Sequence, residues 1–205
     1  MTNIRASSIR LMQPLIQAGE EGSTPILALS RRRDARNCRQ NRPRSPMQLR
    51  LERIGFAQAK ALNELWHSRL PRFGTGFVRN QPYLCYAAHY LDVIYAVAIW
   101  SNPVARLLPQ RDWLELRRLA VAPDAPRNTP SRMLAVMTRL IRHSRPDIVN
   151  LISYQDTNAH TGGIYRAAGW SPTNLSRRRQ WNCPSRPRPP AQSSSPKRRW
   201  ERRIA

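Results

Sequence analysis

Residues 153–170 read SYQDTNAHTGGIYRAAGW, and they hold most of the side chains in this chain that can do chemistry. An apolar run, DIVNLISY, ends at Ser153 and Tyr154, and a dense polar group follows: Gln155, Asp156, Thr157, Asn158, His160 and Thr161. Tyr165 comes next, in GGIYRAAGW. With the run as a strand and GGIYRAAGW as a short helix closed by Gly169, Asp156, His160 and Tyr165 converge at one strand end. A tyrosine placed there can donate a proton to a leaving thiolate, and a histidine or aspartate can relay one from an amine. The same residues also suit plain architecture: Asp156 and Asn158 are ordinary turn formers, and Tyr165 fits the half-buried side of a helix.

Two further stretches carry candidate groups. RRLAVAPDAPRNTPSRML, residues 117–134, runs from strand through a polar loop into a helix. That helix begins near Asn128, Thr129 or Ser131, with Arg127 and Arg132 alongside. Unpaired N–H groups at a helix start, flanked by arginines, form an anion site that would accept a pyrophosphate. Thr129 and Ser131 serve equally well as simple caps. LWHSRLPRFGTGF places His67 beside Arg69 and Arg72. The four histidines, His67, His89, His143 and His160, show no local ligand spacing, so the sequence itself gives a metal site no support.

The elements that must position these groups follow from periodicity. MQLRLERI alternates as a strand, and FAQAKALNELWHSRL places Ala59, Leu62, Leu65 and Trp66 at helical spacing up to Pro71. YLCYAAHYL and VIYAVAIW, joined at Leu91 and Asp92, predict a hairpin, and WLELRRLAVA another strand. PSRMLAVMTRLIR predicts an amphipathic helix with Pro130 near its start. After IVNLISY and the Tyr165 helix, TNLSRRRQW reads as a last strand. The order β-α-β-β-β-α-β-α-β predicts an α/β fold: a mixed, mostly antiparallel sheet flanked by helices.

Residues 1–47 carry nine arginines against three acids, and 177–205 carry ten Lys/Arg against one acid, out of a net charge of +23. Both ends are expected to be disordered basic extensions, 1–47 and 182–205, around a catalytic domain at 48–181. Trp200 in the Pro/Ser/Arg-rich tail is expected to be incidental. Met47 stands where patterned sequence begins and is a candidate alternative start. The charge favours a polyanionic partner. Cys38, Cys85 and Cys183 are odd in number and far apart, which argues against a disulfide framework and for a reducing, cytoplasmic location. No apolar run approaches the ~20 residues of a membrane span.

LELRRLAVAPDAPRNTPSRMLAVMTRLIR together with SYQDTNAHTGGIYRAAGW resembles the phage DNA-modification protein Mom and its relatives, a branch of the GCN5-related N-acetyltransferase (GNAT) fold. The resemblance covers roughly residues 48–176. It implies an enzyme that converts adenine in DNA to a carbamoylmethyl-type base, protecting phage DNA from restriction. On this resemblance Tyr165 falls on the general-acid tyrosine of the fold, and Asp156, His67 and Arg118 fall on polar active-site positions. Arg127, Asn128, Thr129, Ser131 and Arg132 fall on the coenzyme A pyrophosphate loop, although RNTPSR lacks the glycines of its usual form. The expected donor is acetyl-CoA, and the resemblance leaves a metal requirement open. Double-stranded DNA is the expected partner, with Arg69, Arg72 and Arg79 as phosphate contacts and the target base flipped from the stack. Two alternatives compete: a conventional N-acetyltransferase of a small amine or protein, and a non-catalytic basic DNA-binding protein.

Overall fold

The structure, a computed structural model, describes residues 42–70, 72–73, 83–176 and 195–205. After a 3-10 turn at Pro46–Gln48, the elements are β1 (Arg50–Arg53), α1 (Phe56–Trp66), β2 (Leu84–Tyr90), β3 (Val93–Ser101) and β4 (Trp113–Val121). Then come α2 (Thr129–Ser144), β5 (Asn150–Asp156), α3 (Gly163–Ala167), β6 (Ser171–Ser176) and β7 (Lys197–Arg203). Seven strands form one sheet in the order β1-β2-β3-β4-β5-β7-β6. Every neighbouring pair is antiparallel except β4 with β5, which are parallel. The α/β, mostly antiparallel architecture expected from periodicity is the one observed.

The two faces of the sheet are covered unequally. On one, α2 buries Met133, Leu134, Met137 and Ile141 against Tyr86, Trp100, Leu114 and Leu151, with Tyr165, Trp170 and Trp200 in the same cluster. Each fully buried aliphatic side chain of this kind contributes roughly 1.5–3 kcal/mol. On the other, the shorter α1 sets Ala59 and Leu62 on Cys85, Ala87, Val97, Ile99 and Ala120. Arg142 and His143 lie in the last turn of α2, where cations complement the helix dipole.

The parallel pair is where the fold opens. β4 and β5 pair from Trp113 with Asn150 to Leu116 with Ser153 and no further. Beyond that rung β4 runs on to Val121 and β5 to Asp156, so the strands part into a fork. At the same level the β3–β4 register slips: Ile99 faces Arg118 while Trp100 faces Leu116, leaving Arg117 as an extra residue. Such a bulge re-aims side chains.

The C-terminal expectation needs correction. Residues 182–205 were expected to be a disordered tail, yet Lys197–Arg203 is an interior strand inserted between β5 and β6. It pairs along the whole of β5, from Asn150 with Arg203 to Asp156 with Lys197. Trp200, expected to be incidental, is 1 % exposed. A strand with a neighbour on both sides satisfies its backbone groups without an apolar run of its own, so one tryptophan and Ile204 suffice to anchor it. At the other end order begins before residue 48. Ser45 and Gln48 form a capping box, Arg42 lies 3.8 Å from Asp124, and Pro43 is buried. Residues 1–41 lie outside the described residues, as does the 177–181 part of the expected last strand, which is seen as β6.

Candidate active site

Side chains alternate across a strand, so Ser153 and Gln155 share one face of β5, and Tyr154 and Asp156 the other. The sequence-derived cluster is split accordingly. Asp156 lies on the α1 side with His67, Arg69 and Arg118, whereas Tyr165 lies on the α2 side against Ser153. The fork between β4 and β5 is the gap between the two groups.

On the α1 side, His67 ends α1, and its ring Nδ1 accepts hydrogen bonds from the backbone N–H of Arg69 (3.3 Å) and Leu70 (3.2 Å). Two donors on Nδ1 place the neutral ring's proton on Nε2. Burial, then the nearby Arg118 and His160, lower the His67 pKa to about 4. His67 is thus a neutral hydrogen-bond donor at pH 7, neither a base nor a cation. Asp156 accepts from Arg69 (3.2 Å), from the Ser195 hydroxyl (2.8 Å) and from the Asn158 N–H (3.0 Å). Burial opposes its charge, but these hydrogen bonds and the Arg69 and Lys197 cations outweigh it and hold the carboxyl below its usual range. An ionised carboxylate with three of its roughly four acceptor sites filled can take one more hydrogen bond but takes up a proton poorly. Of the two groups expected to relay a proton from an amine, Asp156 is therefore no strong base here, and His160 is exposed, near enough to His67 to act on its charge.

Arg118 lies at the fork with its guanidinium 5.3 Å from the centre of the Phe73 ring. Burial and the adjacent Arg117 lower its pKa to about 10, against the pull of Glu115. Glu115 and Arg117 pair at 3.3 Å, with the Val104 N–H donating to Glu115 at 2.9 Å and Arg117 donating to the Ser101 hydroxyl at 3.3 Å. Sequence reasoning passed over this pair. Its signal was an acid and an arginine two apart in a strand, the spacing that shares a face.

On the α2 side, the Tyr165 hydroxyl hydrogen-bonds Ser153 Oγ at 2.8 Å, directly under the last β4–β5 rung. Burial raises its pKa, so the phenol keeps its proton at neutral pH. The ring stacks on Trp200, whose Nε1–H donates to Gln155 Oε1 at 2.7 Å, and Gln155 in turn donates to the carbonyl of His160.

The start of α2 fits an anion. Asn128 adopts the left-handed conformation (φ 66°, ψ 9°), the one a glycine would take at a phosphate loop. No side chain caps the helix: Thr129 donates to the Pro126 carbonyl (2.7 Å) and Ser131 to the Asn128 carbonyl (3.0 Å). Arg127 is exposed, and Arg132 Nε is buried with no hydrogen-bond partner among the described residues. Pro130 takes one N–H away from the cradle.

The three arginines expected to touch phosphate fare differently. Arg69 is committed to Asp156, Arg72 is exposed, and Arg79 lies outside the described residues. Among the described residues no cluster of three His, Cys, Asp or Glu could hold a metal ion, and no helix is long and apolar enough to cross a membrane.

Residues 93–184 match the Mom protein family. No curated protein matches the chain. Among solved structures, the ribosomal-protein-S18-alanine N-acetyltransferase of Escherichia coli superposes with a TM-score of 0.55 at 16% identity, covering 77% of this chain and 94% of that one. A Bacillus subtilis acetyltransferase in complex with CoA gives 0.54 at 11% identity, covering 77% and 99%. Spermidine N-acetyltransferase from Vibrio cholerae, in complex with CoA and spermine, gives 0.54 at 8% identity, covering 77% and 96%. At these identities the likeness shows the fold.

Proposed function

From a Mom-like chain with the GNAT acetyltransferase fold, we propose an acyltransferase that moves an acyl group from an acetyl-CoA-like donor to the N6 amine of adenine in DNA. A carbamoylmethyl-type base carries a further nitrogen that an acetyl thioester does not supply, so the N6-acyl adduct is the product this donor accounts for. The observation that carries this reading is the β4–β5 fork. It has a protonated phenol at its base, on Ser153, and a neutral histidine, a buried arginine and an ionised aspartate at its lip.

The donor's pyrophosphate would be held by the uncapped start of α2, by Arg127 and by the unpartnered Arg132 Nε. When bound, such a donor supplies an activated acyl thioester. Tyr165 holds a proton at its hydroxyl, at the level where β4 and β5 part, and is suited to give it to a leaving sulfur. His67 Nε2–H and Arg118 stabilise negative charge developing on an acyl oxygen. Asp156 accepts a hydrogen bond from the exocyclic amine of a base and so orients it. The proton that the nitrogen loses on acylation passes to water, and the one that Tyr165 gives to the sulfur is regained from water, so the exchange balances. An adenine N6 inside a duplex cannot reach this fork, so the base leaves the stack. The net charge of +23 supports a polyanionic substrate and tells against the polycationic amines that some proteins of this fold take.

Nucleoside mass spectrometry on plasmid DNA from cells expressing the protein, beside Tyr165→Phe, tests the reading. A new adenine species in the wild type that the variant lacks supports it. Unmodified DNA from folded protein, with acetyl-CoA turnover on amines instead, moves the assignment to a conventional N-acetyltransferase. No turnover of either kind leaves a DNA-binding protein.

A further inference from the structure

We propose that Trp200, on the C-terminal strand, is a positioning residue for Tyr165, holding the phenol against Ser153 at the base of the fork. The inference rests on the reading of Tyr165 as the proton donor.

The phenol is held at both ends. Its hydroxyl meets Ser153 Oγ at 2.8 Å, and its ring lies on the Trp200 indole with centroids 5.2 Å apart and planes 13° from parallel. Ser153 and Trp200 are register partners on β5 and β7, so one rung of backbone pairing places both contacts. Trp170 closes a third side, its ring centroid 5.8 Å from that of Tyr165. Core filling alone would be met by any large apolar side chain. What calls for tryptophan is the indole N–H, which donates to Gln155 at 2.7 Å in a buried setting. Through Gln155 and the His160 carbonyl, the same indole is tied to the loop that follows Asp156. The backbone conforms as well: Gly162, at φ +77°, leaves no room for a Cβ, which would fall 2.5 Å from Trp200 Cζ2.

Two consequences distinguish positioning from filling. A displaced indole lets the phenol tilt off Ser153, and misplacement of about 1 Å at a reacting group costs on the order of 10²-fold in rate. It also admits water to a ring whose burial favours the protonated form.

The test uses the full chain with Trp200→Phe and, separately, Gln155→Met, which keeps volume and removes the indole's acceptor. Tyrosine labelled at Cζ is titrated by carbon NMR, with the Tyr165 signal assigned through Tyr165→Phe, and kcat and KM for acyl transfer and thermal unfolding are measured alongside. The expected result is cooperative unfolding in both variants with a Tyr165 pKa lowered toward the ordinary ~10. With it, kcat should fall about 10- to 100-fold at a KM for acetyl-CoA within about twofold of wild type. Unchanged titration and kcat in folded variants would overturn the proposal. Should Trp200→Phe fail to fold, Gln155→Met decides by the same readouts. If the wild type transfers no acyl group, the functional reading fails, and the titration still decides whether Trp200 sets the state of Tyr165.

Discussion

Trp200 and Tyr165 lie 35 positions apart in the chain and face to face in the molecule, with ring centroids 5.2 Å apart and planes 13° from parallel. The contact joins the last strand to the candidate proton donor. It brings the strand Lys197–Arg203 up against the candidate site, and it sets several expectations.

A chain ending at residue 194 loses β7. β5 and β6 are then left without their shared neighbour, and Asp156 loses the Ser195 hydroxyl. We expect no cooperative unfolding transition by circular dichroism. A sharp melt at the full-length temperature would show that β7 is dispensable to the fold.

Gly162→Ala combines a left-handed backbone with a Cβ 2.5 Å from Trp200 Cζ2 and 2.7 Å from Gln155 Oε1. The backbone strain alone costs about 1–3 kcal/mol. The midpoint of thermal unfolding should drop by on the order of 5–10 °C. Gly55→Ala, where an added Cβ meets nothing within 4 Å, is the control and should stay close to wild type.

His67 titrates near 6.5 when unfolded and at about 4 when folded. Between those values the unfolded chain binds more protons, so stability contributed by neutral His67 is present above pH 6.5 and is lost as pH falls toward 4. His67→Asn keeps an acceptor for the Arg69 and Leu70 N–H groups and removes the titration. Melting curves from pH 4 to 7 should therefore fall less steeply for the variant. Parallel curves would place His67 in solvent.

Binding to duplex DNA should weaken as salt rises, with log K falling by about 0.9 per log unit of salt for each phosphate neutralised. Arg72→Ala should lower that slope by about one unit. A slope near zero for the wild type would argue against the polyanion reading of the +23 charge.

Periodicity alone determined α1, α2, the β2–β3 hairpin at Leu91 and Asp92, and β4 and β5, because each carries its own apolar face. The left-handed turn into α2 was not read from the sequence, where Asn128 counted only as one of three possible helix starts; it is the structure that gives this asparagine the conformation a glycine would take. Tertiary structure decided three things. KRRWERR became an interior strand because its hydrogen-bond partners are β5 and β6, and pairing with them asks little of its own side chains. The extra residue at Arg117 was invisible because a bulge is a property of two strands, of which the sequence shows one at a time. Asp156 and Tyr165, close in sequence, came to lie on opposite faces of the sheet. A strand turns successive side chains to opposite sides, so what lies near in the chain meets across a fork only when the neighbouring strand parts to open one.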